Sequence, residues 1–155
     1  MSKAQDEWDS YLLVIAEAAS KKSKDPNSKL GAALVQGNVV ISTGFNGFPR
    51  GIDEREERWQ RPIKYQFVSH AEANAIFNAA RNGIPTVDAT LYLYGFPGPC
   101  IECAKAIIQA GILRVVWPLN ELKMSDPIAK AKWEDDLDFA QRLLFEAGVI
   151  ISVLA

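Results

Sequence analysis

His70, Glu72, Cys100 and Cys103 are the residues of this 155-residue chain whose types and spacing lend themselves to chemistry. The chain has one histidine and two cysteines, and all three fall in two short patterns: His70-Ala71-Glu72 and Pro99-Cys100-Ile101-Glu102-Cys103. Imidazole nitrogen and thiolate sulfur are good zinc ligands, and zinc takes four ligands in a tetrahedron. Three protein ligands leave the fourth position to water, as a catalytic zinc requires. Two thiolates offset the metal's charge and moderate its acidity, so a base beside the metal is needed for proton transfer, and Glu72 is placed to be that base. Other readings start from the same residues. A lone histidine is ordinarily a core or surface residue, and a lone Cys-x-x-Cys also serves as a redox pair or as half of a structural zinc site. A four-ligand structural site needs one more Cys, His or carboxylate, and the chain has no other Cys or His.

The spacing dictates which elements must carry these groups. Residues i and i+2 do not share a helix face, so His70 and Glu72 reach one cavity only if His70 stands at a helix start. Cys100 and Cys103, three apart, fall on one side of a helix, and Pro99 suits its beginning. Helix N-termini favour thiolates. Two helices whose N-termini converge on one metal are expected. The pattern elsewhere predicts an opening helix over about residues 6–22, whose aromatic residues serve core or subunit contacts. A polar break at 23–29 is expected to be a solvated loop. A strand at 30–35, a turn at Gly37-Asn38 and a strand at 39–44 form a hairpin. A binding loop follows at 45–51, and a charged stretch at 53–61 reads as a short exposed helix or flap. The His70 helix closes near Gly83. A strand at 89–94, the cysteine helix to Ala110, a strand at 113–117, a helix at 134–147 and a strand at 149–153 complete the chain, with 118–132 unassigned. This order implies an α/β fold, a three-layer α/β/α sandwich with a mixed five-stranded sheet. The two metal-bearing helices are expected side by side on one face.

Composition bounds the function. One domain spanning residues 1–155 is the natural size. Hydrophobic content of 48% and charged content of 23% are ordinary for a globular protein. A net charge of −2 gives no basic field for a long nucleic acid, so no polynucleotide partner is expected. No stretch is apolar enough to span a membrane, and the polar start lacks a secretory segment. Cysteines held as metal thiolates suit a reducing cytoplasm, the expected location.

Four stretches carry a family resemblance: Ser-Lys-Asp-Pro-Asn-Ser at 23–28, Gly-Phe-Asn-Gly-Phe-Pro at 44–49, His-Ala-Glu-Ala-Asn-Ala-Ile at 70–76, and the run from Pro99 to Ile112. In these, and in their order, the chain resembles the deoxycytidylate deaminases of the cytidine deaminase superfamily. The zinc patterns mark the superfamily, and the first two stretches point to the deoxycytidylate branch. The resemblance implies that His70, Cys100 and Cys103 bind one catalytic Zn2+ and that Glu72 shuttles protons. The implied reaction is hydrolytic deamination of dCMP to dUMP and ammonia. Asn46 matches the family asparagine that contacts the sugar. Lys29, Arg50 and Arg81 lie in or beside matching segments and are offered as phosphate contacts, alongside the alternative of ordinary surface charge. Backbone groups around Ala71 and residues 97–99 are expected to fix the base edge, with Phe48, Trp59 or Trp117 as stacking partners or core. Many relatives form homohexamers, are activated by dCTP with Mg2+ and are inhibited by dTTP. Residues 23–29 resemble part of that effector region. The chain departs from the family in a longer link, residues 95–99, before Cys100. That link keeps open another substrate, such as dCTP, a modified deoxycytidylate, a nucleoside or a purine. A non-catalytic zinc module is the alternative of another class. The chain also lacks the Cys and His with which some relatives hold a second zinc.

Overall fold

A computed structural model describes residues 2–155. Eleven segments of regular structure build a central sheet and its covering helices. Helix α1 spans Lys3–Ser20, capped by the Ser2 hydroxyl, which accepts from the Gln5 N–H. Strands β1, Gly31–Gln36, and β2, Val39–Phe45, form the hairpin. Its two turn residues, Gly37 and Asn38, have φ of 52° and 63°, the double positive that a two-residue hairpin turn demands. A 3-10 turn at Glu56–Trp59 and a short helix α2, Lys64–Phe67, follow. Then come α3, Ala71–Arg81, β3, Thr90–Tyr94, α4, Ile101–Gln109, and β4, Arg114–Pro118. Helix α5, Pro127–Glu146, and β5, Ile150–Leu154, complete the chain.

The sheet order is β2-β1-β3-β4-β5. The pairs β1–β2 and β1–β3 are antiparallel, while β3–β4 and β4–β5 are parallel, each of these last joined by a crossover helix. This is the mixed five-stranded sandwich expected from the sequence. Period-two alternation sorts the strands between two cores. Ala33, Val35, Tyr92 and Val116 face α1, packing on Leu12 and Ala16. Ala32, Leu34, Leu91, Leu93, Val115 and Trp117 face α3, α4 and α5, packing on Ala75, Ala79, Ala104, Ile107, Ala140 and Leu144. The small residues along α3 let it lie low on the sheet. Gly44 is where the approach is closest: a Cβ there would stand 2.3 Å from the Ala71 carbonyl and 2.4 Å from the Ala75 nitrogen. Glycine at this point of β2 therefore sets the height of the α3 N-terminus.

Four segments differ from expectation. The 23–29 break is a loop and most of it is exposed, but its Ser23 and Asp25 are buried and tied into the fold. The charged 53–61 stretch carries Trp59, which is buried against Phe48 with ring centroids 4.2 Å apart, so it is anchored rather than a free flap. Helix α2 has no apolar period over its four residues and is held by tertiary contacts. Helix α5 starts seven residues early, because the Asp126 carboxylate accepts from the Ile128 N–H and Pro127 fills the first helical position.

Candidate active site

The two patterns meet because each places a ligand at a helix cap. His70 is the extended N-cap residue of α3, so its ring stands off the helix and the i, i+2 conflict with Glu72 disappears. Cys100 caps α4, its sulfur accepting from the Cys103 N–H, and Cys103 lies in the first turn. Pro99 stands one residue before the cap, not inside the helix. The segment entering His70 is pinned by a two-way bridge: the Gly47 N–H donates to the Ser69 carbonyl at 3.1 Å and the Ser69 N–H to Gly47 at 2.8 Å. Asn74 adds bonds from its amide to Phe45 and Ser69 carbonyls, at 2.7 and 3.2 Å. At α4, the Ile101 N–H donates to the Asp136 carboxylate of α5 at 2.9 Å.

The result is a compact donor set. His70 Nδ1 lies 3.4 Å from Cys100 Sγ and 3.5 Å from Cys103 Sγ, and all three donor atoms fall within 4.8 Å of one another. Ordinary zinc bond lengths in a tetrahedron put nitrogen and sulfur about 3.6 Å apart. The three groups therefore fit a zinc ion in both chemistry and spacing. Among the described residues this is the only such cluster of His, Cys, Asp and Glu.

The donor groups and Glu72 perturb one another's protons. The Cys100 thiol is pulled down to about 4, chiefly by its hydrogen bond with Cys103 and, against burial, by His70. The His70 imidazole is pushed up to about 9, first by its bond to Cys100. The Cys103 thiol is driven up by that same sulfur contact and by burial. Burial raises the Glu72 carboxyl, with His70 opposing. A buried carboxyl that holds its proton more tightly is suited to both taking and giving one.

His70, Glu72 and Cys100 open into a cavity of about 610 Å3, within the usual span of about 300–1,000 Å3 for small-molecule sites. Its lining mixes polar residues, among them Asp25, Asn27, Ser28, Lys29, Asn46 and Lys64, with the aromatic Tyr65, Tyr94, Phe96 and Trp133 and residues 120–124. Asn46 is the hub of the polar lining. Its Oδ1 accepts from the Leu30 N–H at 2.8 Å, its Nδ2 donates to Ser28 at 2.8 Å, and its carbonyl accepts from the Ser23 hydroxyl at 2.8 Å. Asp25 accepts from Asn27 and Ser28 amides and from Lys64 Nζ, at 3.0 and 2.9 Å. Asp25 and Lys64 are 3% and 4% exposed, so this ion pair is buried. In the aromatic lining, Phe96 meets Trp133 edge to face at 5.2 Å.

The structure thus brings His70, Glu72, Cys100 and Cys103 together, with Asn46 and Lys29 in the cavity wall. It does not bring Arg50 or Arg81 there. Arg50 donates to Asn78 at 2.7 Å on the surface, and Arg81 ends α3, opposite to His70. Ala71, the first residue of α3, is buried beside Gly44 of β2 and does not line the cavity. Nor do the proposed stackers: Phe48 and Trp59 stack on each other, and Trp117 lies in the core. Tyr65, Tyr94, Phe96 and Trp133 are the aromatic lining instead. Sequence reasoning missed Lys64, Asp136 and Trp133. The last two carried one signal, a spacing of three that puts them on one face of a helix.

A helix-flanked mixed sheet with His and Cys-x-x-Cys at two helix caps, and a buried glutamate between them, defines the zinc-dependent deaminases of nucleobases. Comparison with known proteins narrows the class. Residues 6–119 match the family model described as the cytidine and deoxycytidylate deaminase zinc-binding region. Deoxycytidylate deaminase of Pongo abelii is 40% identical over 92% of this chain and 77% of that protein. The Homo sapiens enzyme is 38% identical over 81% and 72%. The crystal structure of dCMP deaminase from the cyanophage S-TIM5, in complex with dCMP and dUMP, superposes with a TM-score of 0.72, at 27% identity over 99% of both chains. The chain belongs to the cytidine and deoxycytidylate deaminase family.

Proposed function

We propose that this protein converts dCMP and water to dUMP and ammonia, with residues 1–155 acting as one deaminase domain. The observation that carries the proposal is the cavity that joins the His/Cys/Cys donors and Glu72 to polar and aromatic lining residues. A nucleotide joins the two matching chemistries, a flat base and a polar sugar phosphate. The relatives' activity on deoxycytidylate supports the choice of base and sugar.

His70, Cys100 and Cys103 would hold the zinc, which supplies Lewis acidity and makes water a usable nucleophile near neutral pH. Glu72 takes the proton of the attacking water as the new C–O bond forms at C4 of the cytosine. It delivers that proton to ring N3, then takes the proton of the new C4 hydroxyl and gives it to the departing amine, whose C–N bond breaks to release ammonia as the C4 carbonyl forms. Its burial beside His70 keeps bulk water from competing for those protons. Asn46 holds the polar lining, and the second lone pair of its Oδ1 is left for a sugar hydroxyl. Of the three cations offered as phosphate contacts, Lys29 is the one in the wall. The half-buried Phe96 and Trp133 receive the base face.

Ammonia release from dCMP, dCTP, deoxycytidine, CMP and a purine set tests the proposal. Turnover fastest on dCMP is the expected result. Activity confined to another base would overturn the substrate and point to the 95–99 link. Activation by dCTP with Mg2+ and inhibition by dTTP belong to the same reading and rest on the resemblance of residues 23–29. Saturation curves with and without each effector test them. A homo-oligomer is supported by Trp8, Tyr11 and Val14, exposed on α1, and light scattering on the eluted protein tests it. No helix among the described residues is long and apolar enough to cross a membrane.

A further inference from the structure

Helix α4 begins on a residue that cannot serve it fully. The first N–H groups of a helix have no partners inside it, and a short oxygen-bearing side chain at the N-cap ordinarily takes one of them. Ser2 does this for α1 and Asp126 for α5. The cap of α4 is Cys100, whose sulfur is a weak acceptor, reaches the Cys103 N–H at 3.5 Å and belongs to the donor set. The Ala104 N–H starts the helical ladder on the Cys100 carbonyl at 2.8 Å. The Ile101 N–H, one residue after the cap, is taken from outside: Asp136 of α5 accepts it on Oδ2 at 2.9 Å. Asp136 is half-buried, lies outside the cavity lining and, among the described residues, makes no ion pair. Its negative charge stands at a helix N-terminus, where the helix dipole favours one.

The same face of α5 grips the chain on the other side of Cys100. Trp133 is three residues before Asp136, a spacing that puts both on one side of the helix. Its ring meets that of Phe96, with centroids 5.2 Å apart. Between the two grips the chain lies on Trp117 of β4: a Cβ at Gly98, where φ is 123°, would stand 3.3 Å from that ring. Residues 96–101 are therefore held from α5 at both ends, with Cys100 between. His70 rides on α3, so its distance from the two sulfurs depends on where α5 sets the start of α4.

We propose that Asp136 is a positioning residue of the metal centre: from α5 it caps α4 where Cys100 cannot, and so fixes both cysteines against His70 while leaving the Cys100 sulfur to the metal. Its role rests on the reading of His70, Cys100 and Cys103 as the zinc donors. The test is chelator competition for zinc on the full chain, the absorption of the cobalt-substituted protein, and denaturant unfolding of the metal-free protein. Asp136→Ala loses about 10- to 100-fold in zinc affinity, the usual effect of removing a group that orients metal ligands, and its cobalt–thiolate bands shift. Asp136→Asn recovers most of both, because an amide oxygen accepts the same N–H. Leu144→Val, two turns along α5 on its core side, lowers the unfolding midpoint of the metal-free protein but leaves zinc affinity and the cobalt bands unchanged. Wild-type affinity and bands in Asp136→Ala would overturn the role of Asp136. So would a Leu144→Val protein that loses zinc in step with its stability, since the effect would then be general loosening of α5. A wild-type protein that takes up no zinc overturns the donor reading and the role of Asp136 together. Ammonia release from dCMP is read separately, so failure of the substrate reading alone shows as zinc uptake that depends on Asp136 without turnover.

Discussion

At the scale of the residue, the site turns on where protons reside. Glu72 is the group proposed to move them, so Glu72→Gln should keep one equivalent of zinc by metal analysis and lose about 10²- to 10⁴-fold in kcat. Near wild-type turnover from a zinc-loaded variant would remove Glu72 from the mechanism. The ligands have a pH dependence of their own. His70 is held up to about 9 and Cys103 is raised, so at neutral pH both carry protons that a metal must displace. Cys100, pulled down to about 4, is already a thiolate. Metal affinity should therefore climb as pH rises from 6 to 8, by about tenfold per pH unit for each displaced proton. Competition with a chelator across that range measures the slope, and a flat profile contradicts the ligand assignment.

At the scale of the element, the chemistry depends on caps and close approaches. Helix α3 can bring His70 and Glu72 over the cavity only while Gly44 lets it sit against β2. Gly44→Ala places a methyl 2.3 Å from the Ala71 carbonyl, and overpacking of this kind costs about 1–3 kcal/mol. The variant should unfold at lower denaturant and bind zinc more weakly, because its strain is released by lifting the ligand-bearing end of α3. The polar lining has its own lock. Lys64→Met strands the Asp25 carboxylate in the interior, and breaking a buried pair costs about 3–5 kcal/mol. Denaturant unfolding should register that loss, and Asp25→Asn added to it should recover part, since the unpaired charge is gone. A double variant weaker by the sum of both losses would show that the pair is not the lock.

At the scale of the whole molecule, one buried network ties the α1 layer to the sheet. Asp9 accepts from Arg114 Nη1 at 2.8 Å, from the Tyr92 hydroxyl at 2.7 Å and from Gln5 at 2.9 Å. Burial pushes the Asp9 carboxyl up, but these bonds together outweigh it and hold it below 3.8. A carboxyl with a lowered folded value stabilises the fold fully above its ordinary value, and that stability is lost as pH falls through the lowered one. Wild-type protein should thus lose stability below about pH 4 more steeply than Asp9→Asn, as followed by thermal melts. Much of this molecule was legible beforehand. The three metal-donor residues and Glu72 follow from residue type and spacing, because only a helix start lets His70 and Glu72 share a cavity. The five strands and the four longer helices follow from apolar period and turn signals. Arg50 and Arg81 sit beside family motifs in sequence, yet their side chains face the surface, because neighbours along a chain need not share a cavity. Asp25 and Lys64 are 39 positions apart and polar, so nothing local marks them as buried. Trp133 and Phe96 meet from elements 37 residues apart. The sequence by itself determined the metal chemistry and the order of layers, since both depend on residue type at short spacing. Only the tertiary structure decided which cations, aromatics and carboxylates line the cavity, since burial and pairing arise when distant segments pack.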